Sequence, residues 1–336
     1  MNRSKRAVFL LTLLTAGLLP VAAGARPSDD PYADQQWGLE EIQVFDAWDI
    51  SRGKGVLVAV IDSGIDLRHP DLQANVVRKG KDFVDGGKAA DEFGHGTHVA
   101  GIIAADTNNG RGIAGVAPSA KLMSVRVLDE NNSGEGDAMV KGIRWAADNG
   151  ADVINVSAGY PVPTYGQYYA ALLDDFQRAI EHAWKRGAVV VMAAGNSSQP
   201  LCDQPYAPAL CVGATGVLGE KTHYSNFDVT MAENYLVAPG GETVSTTCGD
   251  GILSTWLRSE PRNGPCDPED GYAFAGGTSM ATPMVSGVAA LLASQGLSNE
   301  EIVERILATA DDLGAPGKDP IYGAGRVNAL KAVTGR

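Results

Sequence analysis

Short apolar runs alternate with longer amphipathic stretches along most of the chain. Five runs rich in valine, isoleucine and alanine have the length of a β-strand: 56–61, 122–128, 151–156, 188–193 and 210–214. Because these runs are apolar at nearly every position, they are typical of strands buried on both faces of a parallel sheet. The pattern therefore predicts a parallel sheet that is covered on both sides.

Three stretches have the composition and periodicity of helices: 137–149, 167–186 and 299–310. Gly150 and Gly187 directly follow the first two, and glycine commonly ends a helix in the left-handed conformation. Ser298 and Glu301 form a capping box at the start of the third. Strands that alternate with helices predict an α/β fold, with a doubly wound, mostly parallel sheet flanked by helices.

No internal repeat or Ser/Pro-rich linker divides the chain. We therefore expect a single domain over residues 26–336, a length that can bury one large core. The stretch 240–271 is loop-like in composition and is interpreted as an insertion.

The chain has an excess of acidic residues, which bears on the kinds of molecule it could bind. The 336 residues include 27 Lys and Arg against 40 Asp and Glu, which gives a formal net charge of −13. An acidic surface repels phosphate backbones, so we do not expect nucleic acid as a partner.

The N-terminal segment has the layout of a targeting signal. A basic start at 3–6 precedes an apolar run over 7–19 and then Ala23-Gly24-Ala25. This order predicts a secretory signal peptide over 1–25. A membrane anchor is the alternative, but a run of 13 residues is shorter than the ~20 that span a bilayer. We expect a secreted chain, extracellular or periplasmic, with no membrane association after cleavage.

Four cysteines are compatible with disulfides in an exported chain. Cys202, Cys211, Cys248 and Cys266 allow three pairings. Proximity along the chain favours Cys202–Cys211 together with Cys248–Cys266. Four buried free thiols are the alternative.

Two polar residues come just after predicted strands. In an open parallel sheet, catalytic and binding residues lie beyond the carboxyl ends of the strands. Asp62 directly follows the run 56–61, so its carboxylate would be held at the mouth of the sheet. Asn196 comes shortly after the run 188–193, where its side-chain amide would donate to a developing oxyanion. Each is also a common turn residue, which in isolation is the simpler interpretation.

His95 begins an apolar helical stretch in the sequence Gly94-His95-Gly96-Thr97-His98. A histidine at a helix start beside a carboxylate can accept and return a proton near neutral pH. Metal binding by His95 and His98 is one alternative, but the Glu of an H-E-x-x-H helix is absent. A purely structural His95 is the other.

Ser279 lies in the sequence Gly276-Gly277-Thr278-Ser279 at the start of another apolar helix. The unpaired N–H groups of a first helical turn can face a developing oxyanion. Pro283 fits early in a helix, where its missing donor costs little. An ordinary Ser or Thr N-cap would explain the hydroxyls but not the pair of glycines.

Asp62, His95 and Ser279 occur in one of the three chain orders known for a catalytic triad. Gaps of 33 and 184 residues separate them. Serine is a poor nucleophile until a base removes its proton, and a neutral histidine needs a carboxylate to fix its tautomer. The three residues are predicted to supply these three roles.

Five motifs in this order make the chain similar to the subtilisin-like serine proteases, and most of all to the thermitase-like secreted enzymes. They lie at 60–65, 69–72, 95–101, 193–196 and 277–283. The resemblance covers nearly everything from Asp30 to Val333. It implies the family's fold and its activity, which is endopeptidase hydrolysis through an acyl-enzyme with an asparagine-assisted oxyanion hole.

The resemblance also implies substrate contacts. Ser157 and Gly159 match the family segment that lines the primary pocket, and Gly134 and Gly136 match the strand that pairs with the substrate backbone. Extended protein or peptide substrates would then bind as an added β-strand. Tyr160 stands where the family pocket usually has a second glycine.

Calcium is the cofactor that the resemblance implies. Asp30, Asp71 and Asn109 match the family's tight calcium site, whose oxygen ligands suit a hard cation. Asp82 and Asp85 are interpreted as a solvated acidic loop rather than as a second site.

Family members normally carry an inhibitory prodomain between the signal and the catalytic domain. Only residues 26–29 separate Ala25 from Asp30, so no prodomain is visible. We therefore expect a chain that folds without an intramolecular chaperone or with a separate one. We also expect it to be a monomer.

Two rival functions are weighed against an active enzyme of this family. An aspartic protease needs two Asp-Ser/Thr-Gly carboxylates, and the sequence has one, at Asp62. A non-catalytic or narrowly selective binding or processing protein of the same fold is the second rival. A non-catalytic form would have no chemical reason to keep Asp62, His95, Asn196 and Ser279 together.

Overall fold

A computed structural model gives the structure of residues 28–77, 79–159, 166–202, 208–231, 233–243, 249–259, 267–268 and 271–336. Within them the strands are β1 Leu57–Asp62, β2 Lys81–Asp82, β3 Lys121–Arg126, β4 Val153–Val156, β5 Val189–Ala193, β6 Leu210–Thr215, β7 Tyr235–Pro239, β8 Ile252–Thr255 and β9 Tyr272–Ala275. The α-helices are α1 Trp37–Glu41, α2 Val44–Ala47, α3 His95–Ala104, α4 Gly136–Asp148, α5 Gly166–Lys185, α6 Thr278–Ala293, α7 Asn299–Ala308 and α8 Ala329–Thr334.

Seven strands form one sheet in the order β2-β3-β1-β4-β5-β6-β7, and every neighbouring pair is parallel. The predicted α/β fold with a parallel sheet flanked by helices is confirmed. β1 lies between β3 and β4, so the carboxyl end of β1 is surrounded by other strands.

Successive residues of β1 pack into two different cores. Val58 and Val60 belong to the apolar cluster that includes α3 and α6, whereas Ala59 and Ile61 belong to the cluster that includes α4 and α5. Successive side chains of a strand point to opposite faces of the sheet. Burial of both faces therefore explains why the run 56–61 is apolar throughout.

Each of the five predicted strands is present, with ends that differ by two residues or fewer. Two strands of the sheet were not predicted. β2 has only two residues, which is too short for a periodic signal. β7 begins with Tyr235 and ends with Pro239, and it lies at the edge of the sheet, where proline is tolerated.

The stretch 240–271 is not a loop throughout, because it contains β8. This strand pairs antiparallel with β9 in a second, two-stranded sheet. Ser254 Oγ donates to the carbonyl of His98 at 2.6 Å, and Thr255 Oγ1 donates to the carbonyl of Thr97 at 2.7 Å. The two hydroxyls thus fasten β8 to the first turn of α3.

The predicted disulfide between Cys202 and Cys211 is confirmed. Cys248 and Cys266 lie outside the described residues, as does the predicted signal peptide over 1–25. None of the helices in the described part of the chain is long and apolar enough to cross a membrane.

Candidate active site

Asp62 is the last residue of β1 and is completely buried. Its Oδ1 accepts a hydrogen bond from the N–H of Ser63 at 2.7 Å and lies 2.8 Å from Nδ1 of His95. A carboxylate on Nδ1 fixes the proton there and leaves Nε2 as the basic nitrogen. Asp62 and His95 are therefore brought together as the sequence predicted.

Close packing of α3 against the end of β1 makes this contact possible. A Cβ added at Gly96 would lie 2.1 Å from the carbonyl oxygen of Gly64 and 3.1 Å from Cβ of Asp62. Only glycine allows two backbone segments to approach this closely. The glycine that follows His95 is thus a requirement of the geometry.

The electrostatic surroundings of His95 favour its cation. Its side chain is 17% exposed. Burial lowers the pKa of the imidazole, but the charge of Asp62, their hydrogen bond and the charge of Asp91 raise it, and the net shift is upward from 6.5. The histidine can therefore hold a proton taken from another group.

His98, the other candidate in this motif, has a separate role. It is buried, and its Nε2 lies 3.1 Å from the carbonyl oxygens of both Ile252 and Ala273. It joins α3 to β8 and β9. The structure thus gives His98 a packing role.

Asp91 organises the start of α3, and the sequence analysis did not identify it. Its Oδ1 accepts hydrogen bonds from Ser63 Oγ at 2.8 Å and from the N–H groups of Phe93 and Gly94 at 3.0 and 2.9 Å. Its Oδ2 accepts from both the N–H and the hydroxyl of Thr97. One buried carboxylate thus holds the residues on both sides of His95.

Ser279 lies in the first turn of α6, facing the end of β4. Its Oγ donates to the carbonyl of Ser157 at 2.9 Å, and Ser157 Oγ donates to the carbonyl of Ser279 at 2.9 Å. That second bond is possible because Pro283, four residues on, has no N–H for the Ser279 carbonyl. Ser279 makes no hydrogen bond to His95 in this conformation.

A series of hydrogen bonds between neutral side chains connects Ser157 to α6. Asn155 Nδ2 donates to Ser157 Oγ at 2.9 Å, and Ser286 Oγ donates to Asn155 Oδ1 at 2.8 Å. Ser286 lies two turns along α6 from Ser279, so the helix and β4 are joined at two levels.

Asn196 is exposed, and its orientation is set by Thr278. The N–H and the hydroxyl of Thr278 both donate to Asn196 Oδ1 at 2.9 Å. Because a backbone N–H can only donate, the oxygen of the amide must face Thr278. Nδ2 of Asn196 is therefore directed elsewhere. Among the described residues, neither this Nδ2 nor the N–H of Ser279 has an acceptor.

Comparison with known proteins shows the family to which the chain belongs. The model of the subtilase family matches residues 53–325. The chain belongs to the subtilase family. It is 41% identical to thermitase from Thermoactinomyces vulgaris over 310 residues, covering 91% of this chain and 99% of thermitase. It is 40% identical to a thermophilic serine proteinase from a Bacillus species, covering 92% of this chain and 69% of that protein.

A solved structure gives the same result for the fold. A protease from Pseudoalteromonas arctica superposes with a TM-score of 0.77 at 33% identity, covering 92% of this chain and 99% of that chain. This subtilase is thus a serine endopeptidase of the subtilisin type, and the aspartic protease alternative is wrong.

The residues predicted to contact substrate lie near the same edge of the subtilase sheet. Gly134 is in an exposed loop where an added Cβ would be 2.3 Å from the carbonyl oxygen of Val127. The N–H of Val127 in turn donates to the carbonyl of Asp62 at 2.8 Å. Gly136 begins α4, and Gly159 is exposed just after Ser157. Tyr160 lies outside the described residues.

Asp30, Asp71 and Asn109 are brought together. The N–H of Asn109 donates to Asp30 Oδ1 at 3.1 Å, and its Nδ2 donates to Asp71 Oδ1 at 2.8 Å. Burial raises the pKa of Asp71 to about 6, against its hydrogen bonds from Asn109, Ile113 and Tyr272, and the nearby charge of Asp30 adds to the rise. The described residues include no cluster of three or more His, Cys, Asp or Glu that could hold a metal ion.

Asp82 and Asp85 do not form a solvated acidic loop as predicted, because Asp82 is buried. Arg126, whose side chain is 2% exposed, places Nη1 3.1 Å from Asp82 and 2.8 Å from Asp85. Its Nη2 lies 2.6 Å from Glu92. The guanidinium is thus the counter-charge of all three carboxylates.

Proposed function

We propose that this chain is a secreted endopeptidase that cleaves peptide bonds through an acyl-enzyme on Ser279. The observation that carries the proposal is the 2.8 Å contact between Asp62 Oδ1 and His95 Nδ1 at the mouth of the sheet. It makes His95 a base whose cation is stabilised, which is what a serine nucleophile requires.

Acylation begins with a rotation of the Ser279 hydroxyl away from the carbonyl of Ser157 and toward Nε2 of His95. Apo serine enzymes often have such loose contacts, which tighten when substrate binds. Ser279 Oγ attacks the peptide carbonyl as His95 takes its proton. His95 then gives that proton to the leaving amine as the C–N bond breaks, and an ester on Ser279 remains. Water hydrolyses the ester by the same proton transfers.

The oxyanion formed in each half of the reaction needs donors that are already in place. Nδ2 of Asn196 and the N–H of Ser279 are the two candidates, because both lack an acceptor among the described residues. Thr278 holds the amide of Asn196 with its nitrogen free to donate. Donors fixed before reaction stabilise the transition state without reorganisation.

Hydrolysis of unfolded casein by the purified chain tests this proposal. We expect wild type to cleave and Ser279→Ala to lose activity by on the order of 10⁶-fold in kcat. A serine-directed fluorophosphonate should label wild type but not Ser279→Ala. A folded wild type that neither cleaves nor is labelled would indicate a binding protein. Labelling without casein cleavage would indicate a narrowly selective processing enzyme.

The substrate is proposed to bind as an extended strand beside the loop of Gly134. Residues 131–135 are exposed, and Gly134 packs against the carbonyl oxygen of Val127. The N–H of Val127 donates to the carbonyl of Asp62, so this loop lies close to the candidate site. We propose that the enzyme is a monomer, which light scattering during size exclusion measures. We also propose that residues 1–25 direct export, which the N-terminus of the exported chain tests.

We also propose that calcium binds at Asp30, Asp71 and Asn109. Two buried carboxylates share this place, and within the described part of the chain no Lys or Arg is bonded to either, so a hard cation would supply the missing charge. The ion would stabilise the fold and take no part in the chemistry. Asn109 would have to turn its amide to present oxygen, because Oδ1 now accepts the N–H of Arg111.

Thermal unfolding with calcium or with a chelator checks the site. Calcium should raise the Tm of wild type and should not raise that of Asp71→Asn. Asp82→Asn is the matched control, since this buried carboxylate pairs with Arg126 and should leave the calcium response intact. An equal response in Asp71→Asn would place the ion elsewhere.

A further inference from the structure

A second asparagine, Asn226, lies behind the loop that carries Asn196. It is completely buried on the segment between β6 and β7. Its Oδ1 accepts hydrogen bonds from the N–H of Ser197 at 3.0 Å and of Gln199 at 2.9 Å. Its Nδ2 donates to the carbonyl of Ala194 at 2.9 Å.

The backbone of Asn226 adds a fourth bond to the same loop. Its N–H donates to the carbonyl of Gly195 at 3.0 Å. One residue therefore bonds to the two residues before Asn196 and to the first and third residues after it. No other described side chain makes this many bonds to residues 194–199.

The N–H groups of Ser197 and Gln199 both reach Oδ1 of Asn226 because of an unusual turn between them. Ser198 has φ of 53°, in the left-handed region that non-glycine residues rarely adopt. Such a turn directs alternate N–H groups into one concavity, which accepts an anion or a carbonyl oxygen. Oδ1 of Asn226 fills that concavity, so the side chain offsets the strain of the turn.

We propose that Asn226 is a positioning residue for the oxyanion donor Asn196. The inference rests on the proposed function and names a residue that acts through Asn196 without touching substrate. Thr278 fixes the side-chain oxygen of Asn196 and accepts the N–H of Gly195 at 3.2 Å. Asn226 is the side chain that bonds to the backbone on both sides of Asn196.

The chemistry of Asn226 suits this place better than a charged residue would. A carboxylate could accept the two N–H groups but could not donate to the carbonyl of Ala194. A neutral amide meets the backbone donors and the acceptor without adding charge.

Steady-state kinetics of Asn226→Ala and Asn226→Asp, each in the wild-type and the Asn196→Ala background, tests the proposal. We expect Asn226→Ala to lower kcat by about 10- to 100-fold with KM nearly unchanged, because a small displacement of a catalytic group is costly. Asn226→Asp keeps the acceptor and should lose less. In the Asn196→Ala background both substitutions should lower kcat by less than about threefold, since the donor is already gone.

Asn75 is the matched control for a purely structural role. It is a buried asparagine whose Nδ2 donates to the carbonyls of Ala104 and Pro118, at the far end of α3 from His95. Asn75→Ala should lower the Tm as Asn226→Ala does and leave kcat unchanged. If Asn226→Ala does not fold, Asn226→Asp carries the comparison.

The outcomes separate the two proposals. Equal losses of kcat in both backgrounds, or no loss at all, would overturn the positioning role while wild-type proteolysis stands. A wild type that neither cleaves casein nor reacts with the fluorophosphonate would overturn the proposed function itself. A pH profile with an unchanged midpoint in Asn226→Ala supports the inference, because nothing on the His95 side has been altered.

Discussion

The two sides of the candidate site are built from different chemistry. On the His95 side the supports are carboxylates: Asp62 bonds to the imidazole, and Asp91 holds the residues around it. On the Ser279 side the supports are amides and hydroxyls, among them Asn155, Ser157, Asn196, Asn226 and Thr278.

The charge that each side must accommodate explains the difference. His95 becomes a cation during the proposed reaction, and nearby carboxylates stabilise that state. The oxyanion develops on the other side, where a carboxylate would repel it. Substitutions on the two sides should therefore differ in kind, with pH dependence altered on one and only the rate on the other.

Among the residues that support the nucleophile, the largest effect is expected for Asp62→Asn. Loss of the carboxylate removes the tautomer control of His95 and should lower kcat by about 10⁴-fold. It also removes a cause of the raised pKa of His95, so the midpoint of the pH–rate profile should move to lower pH. Wild-type activity should rise with pH around a midpoint above 6.5. Asp152→Asn, at an exposed carboxylate that caps β1, is the control.

Asn196→Ala should come next. Removal of one oxyanion donor typically lowers kcat by about 10²- to 10³-fold. The midpoint of the pH profile should stay where it is in wild type, because Asn196 has no contact with His95. A shift of the midpoint in this variant would contradict the division of the site into two sides.

Asp91→Asn should have a smaller effect on rate, about tenfold in kcat, through displacement of His95. Its charge is one of the causes that raise the pKa of His95, so the midpoint should again move to lower pH. A pH–rate profile of this variant measures both effects. An unchanged midpoint would restrict Asp91 to a structural role at the start of α3.

The smallest effect on catalysis is expected for replacement of Cys202 and Cys211 by serine together. The disulfide ties the end of the Asn196 loop to β6, and closing a loop this short stabilises the fold by about 3 kcal/mol in the chain-entropy account. The Tm should fall, whereas kcat should stay close to wild type because Asn226 still holds the loop. A loss of kcat as large as that of Asn226→Ala would make the disulfide the main anchor.

The sequence allowed the parallel sheet and the Asp62–His95 contact to be predicted because both depend on local signals. Asp62 follows an apolar run directly, and His95 begins a helix marked by glycines. The pairing of Cys202 with Cys211 likewise followed from proximity.

The supports could not be predicted because their bonds join distant positions. Asn226 forms hydrogen bonds with backbone groups 27 to 32 residues away. Every residue type carries such backbone groups, so no pattern of side chains in the sequence shows which of them Asn226 will meet. Arg126 meets Asp82 and Asp85 across 44 and 41 residues, which is why those carboxylates suggested a solvated loop. Asp91 had the only local signal, an acidic residue just before a helix start.

Arg126 has a consequence for how the protein responds to its surroundings. A metal ion that neutralises carboxylates is lost on dilution or to a chelator, and its occupancy depends on supply. A guanidinium attached to the chain cannot dissociate. The cluster of Asp82, Asp85 and Glu92 therefore keeps its counter-ion at any external ion concentration. Because Glu92 comes three residues before His95, the segment that leads to the proposed base is neutralised without a metal ion.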